Sequence, residues 1–426
     1  MGASITIKNL GPIKECSMQI DRFTVLTGAQ ASGKSTIAKC VYLCRTIKDD
    51  FLELILKAEY YEDRKKLVKN LKSLLRNKFL RMFGTSLAMS DDMVVNYQYR
   101  KDISVTLSIL KKDADMDIMD NYVGVMFSQS LLDGLSSIIQ NRKAENYLLE
   151  DEINKLFDDE YKTIYIPAGR SLISLLTSQL NYLYITMDER QKRMMDYTTQ
   201  KYIEYILKIR PLFANGLNGL LAESDNSVLP KAKTILKMIN GVLKGRYVFS
   251  NGTELFYIND ENYQTPYDER FVKINFTSSG QQETVWIFNI LFYVLINKTR
   301  AFIIVEEPEA HLYPDAQKKI TEILAFMNNC DCQMMITTHS PYVLGSVNNL
   351  IYAYYVSKKS KDKSRIKSIV NKDLFVKNYS AFQVEDGIIQ SCIESSPEKL
   401  IMNEVIDGAS REINDLYDKL FDLENE

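Results

Sequence analysis

Apolar and polar positions along the chain predict alternating strands and helices. Short apolar and polar stretches alternate from Ile5 to Leu26 around a Gly11-Pro12 turn, which predicts two or three strands. A helical period then begins at Lys34 and runs to about residue 47. The segment from Leu52 to Leu80 also carries leucines at helical spacing. This alternation is typical of an α/β architecture.

The middle of the chain is divided into shorter segments. Val94 to Leu110 is rich in β-branched and aromatic residues and predicts an antiparallel pair, whereas Ile164 to Ile166 predicts a buried strand that ends before a proline. Asn251-Gly252 lies between two alternating segments and is a strong signal for a type I′ hairpin. Two later apolar runs predict further buried strands, Ala301 to Val305 and Gln333 to Thr337.

This order of elements predicts a head that is interrupted by an insertion. We assign residues 1–50 and 245–370 to the head, and residues 51–244 to an insertion with a small β part and a helical subdomain. Residues 371–426 are expected to form a mixed tail that ends in an amphipathic acidic helix. The apolar repeat of the insertion is not a sustained heptad, so we expect no long coiled-coil arm. Lys358 to Lys367 is expected to be a flexible basic loop between strands.

Composition indicates an ordinary globular protein. Apolar residues make up 46% of the 426 residues and charged residues 25%, and the formal net charge of −2 gives no strong attraction to polyanions or membranes. The longest apolar run, Ile287 to Ile296, is too short to span a bilayer, and no secretory leader is apparent. We therefore expect a cytoplasmic protein. The cysteines are scattered and form no disulfide framework: Cys16, Cys40, Cys44, Cys330, Cys332 and Cys392.

The segment from Gly28 to Ser35 fits the phosphate-binding pattern G-x-x-x-x-G-K-S. A strand precedes it and a helix follows, which is the context that this pattern requires and that a chance glycine turn lacks. Its glycines let successive N–H groups face a phosphate, and the helix N-terminus adds a favourable dipole. We expect Lys34 to neutralise the β- and γ-phosphates, Ser35 to ligate Mg²⁺ and Thr36 to contact the α-phosphate. The nucleotide contacts expected here are Gly28, Ala29, Gln30, Ala31, Ser32, Gly33, Lys34, Ser35 and Thr36.

Two carboxylates end the predicted strand at Ala301 to Val305. Buried charges are costly unless they are paired or bound to a cation, but at the carboxyl end of a parallel strand they can face a ligand crevice. We expect Glu306 to hold the Mg²⁺ shell through water, and Glu307 to orient and polarise an attacking water. A charged turn at a strand end is the alternative. The loop from Pro308 to Pro314 extends the pattern and favours the first interpretation.

Two further segments have the composition of phosphate contacts. Serine and glycine at the start of a helix are usually only a cap, but the hydroxyls and amides of Ser278, Ser279, Gly280 and Gln281 could also grip a γ-phosphate. The P-loop already occupies the near side of that phosphate, so such a helix makes most sense across a dimer interface. His339 follows a predicted strand and can donate to the γ-phosphate or to the attacking water. A lone histidine there is usually incidental, but its order after the glutamate pair reverses that expectation.

Together these motifs resemble the ABC-type ATPase heads of the SMC, RecF and OLD (overcoming lysogenization defect) proteins. GAQASGKST is similar to their Walker A motif, TSSGQQ to the signature motif, IIVEEPEAHLYP to Walker B with the D-loop, and TTHSP to the switch histidine. The nearest likeness is to compact OLD-like ATPases (AAA15-like) found beside separate effectors in bacterial antiphage systems of Septu, PARIS or retron type. Glu306 stands where the family usually has aspartate.

The resemblance implies a fold, a cofactor pair and an assembly. The fold is an α/β P-loop NTPase head of ABC-ATPase type with a mixed sheet, here with a largely helical insertion. The cofactors are ATP and Mg²⁺, with Lys34, Glu307 and His339 as catalytic residues and Ser35 and Glu306 at the metal. Two copies would form a head-to-head dimer, or a higher oligomer, that encloses two ATP molecules. A separate effector such as a nuclease or toxin would be the partner.

The chain departs from the family pattern in two respects. The stretch after His339 is too short for the Toprim domain of OLD nucleases, so we expect no nuclease activity in this chain, and the long arms of SMC proteins are missing. A Q-loop is not securely found. The segment from Ile166 to Ser171 is a candidate, with Arg170 reaching the nucleotide or a partner, although a strand-ending turn explains it equally well.

A basic run leaves the function open between three hypotheses. Arg64 to Arg81 holds eight cations and no carboxylate, and on a helix its leucines would face the core while the cations face out. That face could bind nucleic acid, be merely solvated, or bind an acidic partner. The hypotheses are an ATPase switch that controls an effector, a repair-type ATPase that clamps DNA through this helix, and a scaffold that binds ATP with negligible turnover.

Overall fold

The computed structural model describes residues 2–57, 63–85, 89–110, 122–142, 148–175, 182, 184–258, 270–406 and 408. The acidic helix expected at the end of the tail lies outside the described residues. Numbered along the chain, the strands are β1 (Ser4–Leu10), β2 (Ile13–Gln19), β3 (Phe23–Thr27), β4 (Val94–Arg100), β5 (Ile103–Leu110), β6 (Tyr122–Phe127), β7 (Lys162–Ile166), β8 (Gly245–Ser250), β9 (Thr253–Ile258), β10 (Phe271–Lys273), β11 (Ala301–Glu306), β12 (Gln333–Thr338), β13 (Tyr379–Glu385) and β14 (Ile388–Ser391).

These strands form two sheets, one of 11 strands and one of three (β10-β9-β8), and helices lie on both faces of the larger sheet. Along the chain they are Lys34–Arg45, Ile47–Lys57, Arg64–Phe83, Gln129–Asn141, Leu149–Phe157, Arg170–Leu175, Glu189–Met194, Tyr197–Ile209, Gly216–Ala222, Leu229–Leu243, Ser279–Ile296, Pro314–Asn328, Pro341–Lys359 and Lys363–Ile369. Short 3₁₀ turns lie at Arg210–Phe213, Ile274–Phe276 and Lys372–Leu374. We refer to Ser279–Ile296 as the signature helix.

The main sheet has 11 strands in the order β6-β5-β4-β1-β2-β14-β13-β3-β12-β11-β7. Neighbours from β13 to β7 are all parallel, so the carboxyl ends of β3, β12, β11 and β7 meet at one edge. The register pairs Thr27 with Thr338 and Glu306 with Thr337. Loops that follow these strands are therefore neighbours in space, which is the position of ligand sites in open parallel sheets.

The other half of the main sheet is largely antiparallel. Strands β6, β5, β4, β1 and β2 pair antiparallel with one another in that order, whereas β2 pairs parallel with β14 on its other side. The β part predicted for the insertion therefore continues the sheet of the head through β4 and β1. Strands β13 and β14 of the tail also enter this sheet, beside β3 and β2. The strand order confirms the predicted α/β class with a mixed sheet. The boundaries of the three predicted domains stay a prediction.

Several local predictions are confirmed. Strands β4 and β5 form the expected antiparallel pair, and β8 and β9 form the expected hairpin. Asn251 and Gly252 have φ angles of 50° and 74°, which is the pair of positive values that a type I′ turn requires. The prediction of a loop between strands for the basic stretch from Lys358 to Lys367 is wrong. That stretch ends one helix and begins the next, and no strand lies beside it in the described chain.

Two apolar cores lie against the two faces of the parallel strands. Side chains of a strand alternate between faces, so Phe23 and Val25 of β3 enter one core and Leu26 enters the other. The signature helix and Pro314–Asn328 cover the first face, and Lys34–Arg45 covers the second. The P-loop helix and the signature helix therefore lie on opposite faces of one sheet. No described helix is both long and apolar enough to cross a membrane.

Trp286 on the signature helix is at the centre of an aromatic cluster. It packs edge-on against Phe213 and Tyr247, with ring centroids 5.8 and 5.3 Å away, and all three side chains are buried. Because it is the only tryptophan of the chain, its fluorescence reports on this core. Aromatic pairs in this geometry add to the free energy that burial alone provides.

We predict that Phe213→Ala lowers the free energy of unfolding by about 3–5 kcal/mol, because it removes a buried ring and leaves a cavity beside Trp286. Urea denaturation followed by tryptophan fluorescence measures the change. Phe276→Ala is the control, since the side chain of Phe276 is 74% exposed, and it should change the free energy of unfolding by less than about 0.5 kcal/mol. An equal effect of the two substitutions would contradict the packing described here.

Candidate nucleotide-binding site

The P-loop connects β3 to the helix Lys34–Arg45 at the carboxyl edge of the sheet. Gly28 and Gly33 have φ angles of 141° and 111°, which residues with a Cβ rarely adopt. A Cβ on Gly28 would lie 2.2 Å from the Val384 carbonyl oxygen of β13, and one on Gly33 would lie 2.3 Å from Ile13 Cδ1 of β2. Both glycines are therefore required by backbone angle and by close approach. A side chain at either position would therefore displace the loop from the strands that it packs against.

Lys34 is drawn back into this loop. Its side chain is buried, and Nζ donates to the carbonyl oxygens of Gly28 and Ala29 at 2.8 and 2.7 Å. Burial lowers the pKa of the Lys34 amine, while the charges of Glu307, Glu309 and Glu306 oppose that shift. The P-loop lysine and these three carboxylates thus belong to one electrostatic site. A bound phosphate would offer the amine stronger acceptors than two neutral carbonyls.

The candidate metal residues lie on two neighbouring elements. Ser35 is exposed at the first turn of its helix, and Glu306 is buried at the end of β11. Glu306 Oε2 accepts a hydrogen bond from the Ala168 N–H at 3.1 Å, but Oε1 has no partner within the described residues. The Tyr165 hydroxyl is beside it, yet neither atom completes a hydrogen bond of normal geometry. Burial, and then the charge of Glu306, raise the pKa of Tyr165 well above its usual value.

An unpaired buried carboxylate oxygen is unfavourable by about 1–3 kcal/mol or more, and water held by a cation would satisfy it. The residues present therefore fit Mg²⁺ that is held mainly by phosphate, by Ser35 and through water by Glu306. Within the ranges that the structure describes, no group of three or more His, Cys, Asp or Glu side chains could hold a metal alone.

The backbone of Glu307 is fixed on both sides, while its side chain is partly exposed. Its N–H donates to the Thr337 carbonyl oxygen at 2.9 Å, and its own carbonyl oxygen accepts from Arg170 Nη2 at 2.9 Å. The φ angle of 43° is unusual for a residue with a side chain and turns the carboxylate out of the strand direction. Strained backbone that surrounding hydrogen bonds enforce is common at functional sites.

His339 lies between two carboxylates. Its Nδ1 is 3.7 Å from Glu307 Oε1 and 3.6 Å from Glu309 Oε1, too far for hydrogen bonds but close enough for electrostatic interaction. The imidazole is 53% exposed and faces the same edge as the P-loop. The structure therefore brings Glu307 and His339 together, as their expected roles around one γ-phosphate require.

Glu309 is a site residue that the sequence analysis did not identify. It is buried, and Oε1 accepts hydrogen bonds from the Thr338 hydroxyl at 2.6 Å and from the His339 N–H at 3.0 Å. Its second oxygen has no described partner. Glu309 therefore anchors the backbone that carries His339. The available signal was its place in the loop between Pro308 and Pro314, but nothing in the sequence shows that it contacts a strand 29 residues later.

The signature helix begins at Ser279, and the residue before it caps the helix. Ser278 is the N-cap, and its side chain forms a reciprocal capping box with Gln281. Ser279, one of the expected phosphate contacts, is the first helical residue and is exposed. A Cβ on Gly280 would lie 2.9 Å from the His311 carbonyl oxygen, so the helix start packs closely on the loop after Glu307. Gln281 Nε2 donates to the Leu243 carbonyl oxygen at 2.8 Å.

Arg170 does not extend toward a nucleotide or a partner. The side chain is 1% exposed, and its donors all reach oxygens inside the protein, on Glu283, Pro167, Glu306 and Glu307. The expected reach to the nucleotide is therefore not what this guanidinium does. It ties together the loop after β7, the end of β11 and the signature helix.

The sequence predicted that the cations of the helix Arg64–Phe83 lie on its outer face, and this prediction is wrong for Lys78. Lys78 falls on the same stripe as Leu71 and Leu75, where it is buried and forms an ion pair with Asp50. Arg81 is half-buried and donates to the side chain of Gln200. Five of the six other cations line a groove toward Gln129–Asn141, and they are Arg64, Lys65, Lys69, Lys72 and Arg76.

Comparison with known proteins gives the family context. The chain matches the model of the AAA ATPase domain family (AAA_15) over residues 1–344. The uncharacterized protein MJ1542 of Methanocaldococcus jannaschii is 26% identical to it over 182 residues, which are 42% of this chain and 20% of that protein. The matched region thus spans only about one-fifth of the length of that curated relative.

Solved structures with a similar arrangement are SMC heads. The SMC head bound to the C-winged helix domain of ScpA is 12% identical, with a TM-score of 0.41 over 91% of this chain and 95% of that one. The SMC head domain from Thermotoga maritima is 10% identical, with a TM-score of 0.37 over 92% of this chain and 98% of that one.

The family match bears on the predicted activity class. It covers the P-loop, the Glu306-Glu307 pair and His339, and it confirms the prediction that this chain is an ATPase. The individual roles assigned to those residues stay predictions. Because the matched region makes up most of the sequence, the chain belongs to the AAA ATPase domain family.

Proposed function

We propose that the chain binds and hydrolyses Mg²⁺-ATP, and that two copies enclose two ATP molecules head to head. The observation that carries the proposal is the position of Lys34, Glu306 and Glu307 at the carboxyl edge of the parallel strands β3, β12 and β11. ATP binding would close the dimer and hydrolysis would open it. A separate protein would read the two states.

The residues of one copy have distinct tasks in this proposal. Lys34 would exchange its two loop carbonyls for phosphate oxygens, and Ser35 and Glu306 would hold Mg²⁺. When bound, ATP supplies the γ-phosphoryl group that passes to water, and Mg²⁺ neutralises charge that develops on the phosphates. Glu307 would orient the attacking water and accept its proton, while His339 would donate to the γ-phosphate. The products are ADP and inorganic phosphate.

Exposed aromatic side chains support the second copy. Phe276, Tyr313 and Tyr342 are 74%, 77% and 55% exposed, and each is close in sequence to a candidate site motif. Exposed aromatic residues are enriched at protein interfaces relative to the rest of the surface. A partner copy that approached this edge would cover them and would bring its own Ser279 toward the nucleotide.

The resemblance to compact OLD-like ATPases extends the proposal to a biological setting. Those ATPases lie beside separate effectors in antiphage systems, so we propose that this chain gates a separate nuclease or toxin. Its support is the motif likeness from Glu306 to Pro314. The gene that neighbours this one tests the setting, since a nuclease or toxin is expected there.

The basic groove favours a second candidate function, binding of nucleic acid. Arg76 stacks over the Tyr122 ring at 3.8 Å and donates to the Val123 carbonyl oxygen, and Lys72 lies 5.3 Å from the Phe127 ring centroid. Cations that neighbouring rings hold in place can contact successive phosphates with little further ordering. Asp133 on the facing helix opposes this attraction.

We predict that Glu307→Gln lowers kcat for ATP roughly 10²–10³-fold, because the amide retains the shape but cannot accept a proton. The affinity for ATP should stay within about threefold, and the ATP-bound dimer should persist. Phosphate release, calorimetry and light scattering measure the three quantities. Glu150→Gln, at an exposed position on another helix, is the matched control. Unchanged turnover with ATP still bound would remove Glu307 as the base.

A mixing experiment tests whether two copies share each site. Lys34→Ala should abolish ATP binding, and Ser279→Arg should block the helix that faces the partner's nucleotide, so each variant alone should be inactive. A mixed dimer keeps one intact site, made of the unchanged P-loop of one copy and the unchanged helix of the other. Equal amounts of both should therefore regain up to about a quarter of wild-type turnover. No recovery of turnover together with no ATP-dependent mixed dimer, when both variants are folded, would rule out sites shared in trans.

The basic groove is tested with a labelled DNA duplex at several salt concentrations. Replacing Lys65, Lys69 and Lys72 by alanine should weaken binding at least about tenfold and reduce the slope of log K against log salt by about 2–3. The matched control replaces Lys231, Lys233 and Lys237, which are exposed on Leu229–Leu243, and should leave both quantities unchanged. Equal losses in the two triple variants would exclude a specific role for the groove.

A further inference from the structure

The buried guanidinium of Arg170 connects three segments that surround the candidate site. Its Nη1 donates to the carbonyl oxygens of Pro167 and Glu306, both at 2.6 Å, and Nη2 donates to that of Glu307 at 2.9 Å. Its Nε donates to the Glu283 carbonyl oxygen at 3.1 Å and lies 3.3 Å from Glu283 Oε2. One side chain thus fixes the backbone of both site glutamates to the signature helix.

Neighbouring hydrogen bonds reinforce this connection. The Glu283 side chain is 1% exposed, and Oε1 accepts from the Ser171 N–H at 3.0 Å. The Ser174 hydroxyl donates to the Gln282 carbonyl oxygen at 2.7 Å. The short helix Arg170–Leu175 is therefore attached to the signature helix at two successive residues, so the two helices are expected to move as one unit.

A gain in folding stability does not by itself explain a buried ion pair such as Arg170 with Glu283. A buried ion pair is often no more stabilising than apolar residues of the same volume, because both charges lose their hydration. What a guanidinium adds is a rigid planar fork that fixes several acceptors at once. Two of its acceptors are the carbonyl oxygens of Glu306 and Glu307, where a displacement of about 1 Å can lower turnover by about 10²-fold.

In the proposed dimer, the two segments that Arg170 connects, the Glu306-Glu307 backbone and the signature helix, would contact different ATP molecules. Glu307 acts on the nucleotide held by the P-loop of its own copy, whereas the signature helix contacts the nucleotide of the partner copy. We propose that Arg170, with Glu283, is a positioning residue that couples the two ATP sites of the dimer. This inference rests on the proposed function. Closure of the signature helix on one ATP would set the Glu307 backbone for hydrolysis of the other.

The chain offers a matched control in a second buried ion pair. Arg210 Nη1 lies 3.4 Å from Glu254 Oε1, and the two side chains are 2% and 1% exposed. This pair joins the turn after Tyr197–Ile209 to β9, and the Arg210 guanidinium lies 4.6 Å from the centroid of the Phe249 ring. Arg210→Lys and Arg170→Lys both retain the charge while removing the planar fork, so they should perturb folding to a similar extent.

The experiment measures ATP affinity, kcat and the Hill coefficient of turnover for wild type, Arg170→Lys, Glu283→Gln, Arg210→Lys and Glu254→Gln. For the first two variants we expect an ATP affinity within about twofold of wild type, a kcat lowered at least about tenfold, and a Hill coefficient that falls from above 1 to about 1. The Arg210 and Glu254 variants should keep the wild-type kcat and Hill coefficient per folded molecule.

Wild-type kcat and cooperativity in the Arg170 and Glu283 variants would overturn the coupling. So would equal losses in both pairs of variants, since these would show a purely structural role, or a wild-type Hill coefficient of 1. Wild type that binds ATP but neither dimerises nor hydrolyses it would instead refute the proposed function itself, and the coupling with it. Active, dimeric wild type with insensitive variants refutes only the coupling.

Discussion

The parallel pairing of β3, β12, β11 and β7 is the constraint on which the candidate site depends. Parallel strands end at the same edge, so the P-loop, the Glu306-Glu307 pair and His339 are brought together although they are far apart in sequence. The pairing of Glu306 with Thr337 fixes the carboxylates relative to His339 within one residue of register. A slip of one residue would turn each of these side chains to the other face of the sheet.

Several polar groups of the candidate site could bind a ligand in addition to their contacts within the protein. Lys34 bonds only to carbonyls of its own loop, and one oxygen each of Glu306 and Glu309 is buried without a described partner. Unsatisfied buried atoms also occur elsewhere in the described chain, but these two carboxylate oxygens lie on the elements beside the P-loop lysine, where a bound ligand would satisfy them. An amine, two unpaired carboxylate oxygens and an exposed hydroxyl at Ser35 suit a phosphate with a divalent cation. The chemistry of these groups and the topology of the sheet therefore both place the candidate site at the carboxyl edge of the parallel strands.

The sequence predicted the elements whose signals are local. The P-loop, the hairpin at Asn251-Gly252 and the apolar strands at β11 and β12 each have a pattern within a few residues. Contacts between distant residues left no such pattern. In the sequence, Lys78 resembles the other surface cations of its helix, and only the structure shows its ion pair with Asp50. Arg170 likewise resembles a turn residue, and only the structure shows its ion pair with Glu283. The sequence also did not show which of Ser278 and Ser279 is the N-cap, because the first residue of a helix is hard to place from sequence alone.

Strand β13 provides another long-range contact, in this case with the P-loop. It lies beyond residues 1–344, where the family match ends, yet it pairs with β3 and its Val384 carbonyl oxygen is the atom that a Cβ on Gly28 would strike. The Asp386-Gly387 turn that follows was its one local signal, with positive φ at both residues. The P-loop is therefore enclosed by a segment that the motifs alone would assign to a tail. Because β13 contributes to the requirement for glycine at position 28, this strand shapes the P-loop and belongs to the candidate nucleotide site.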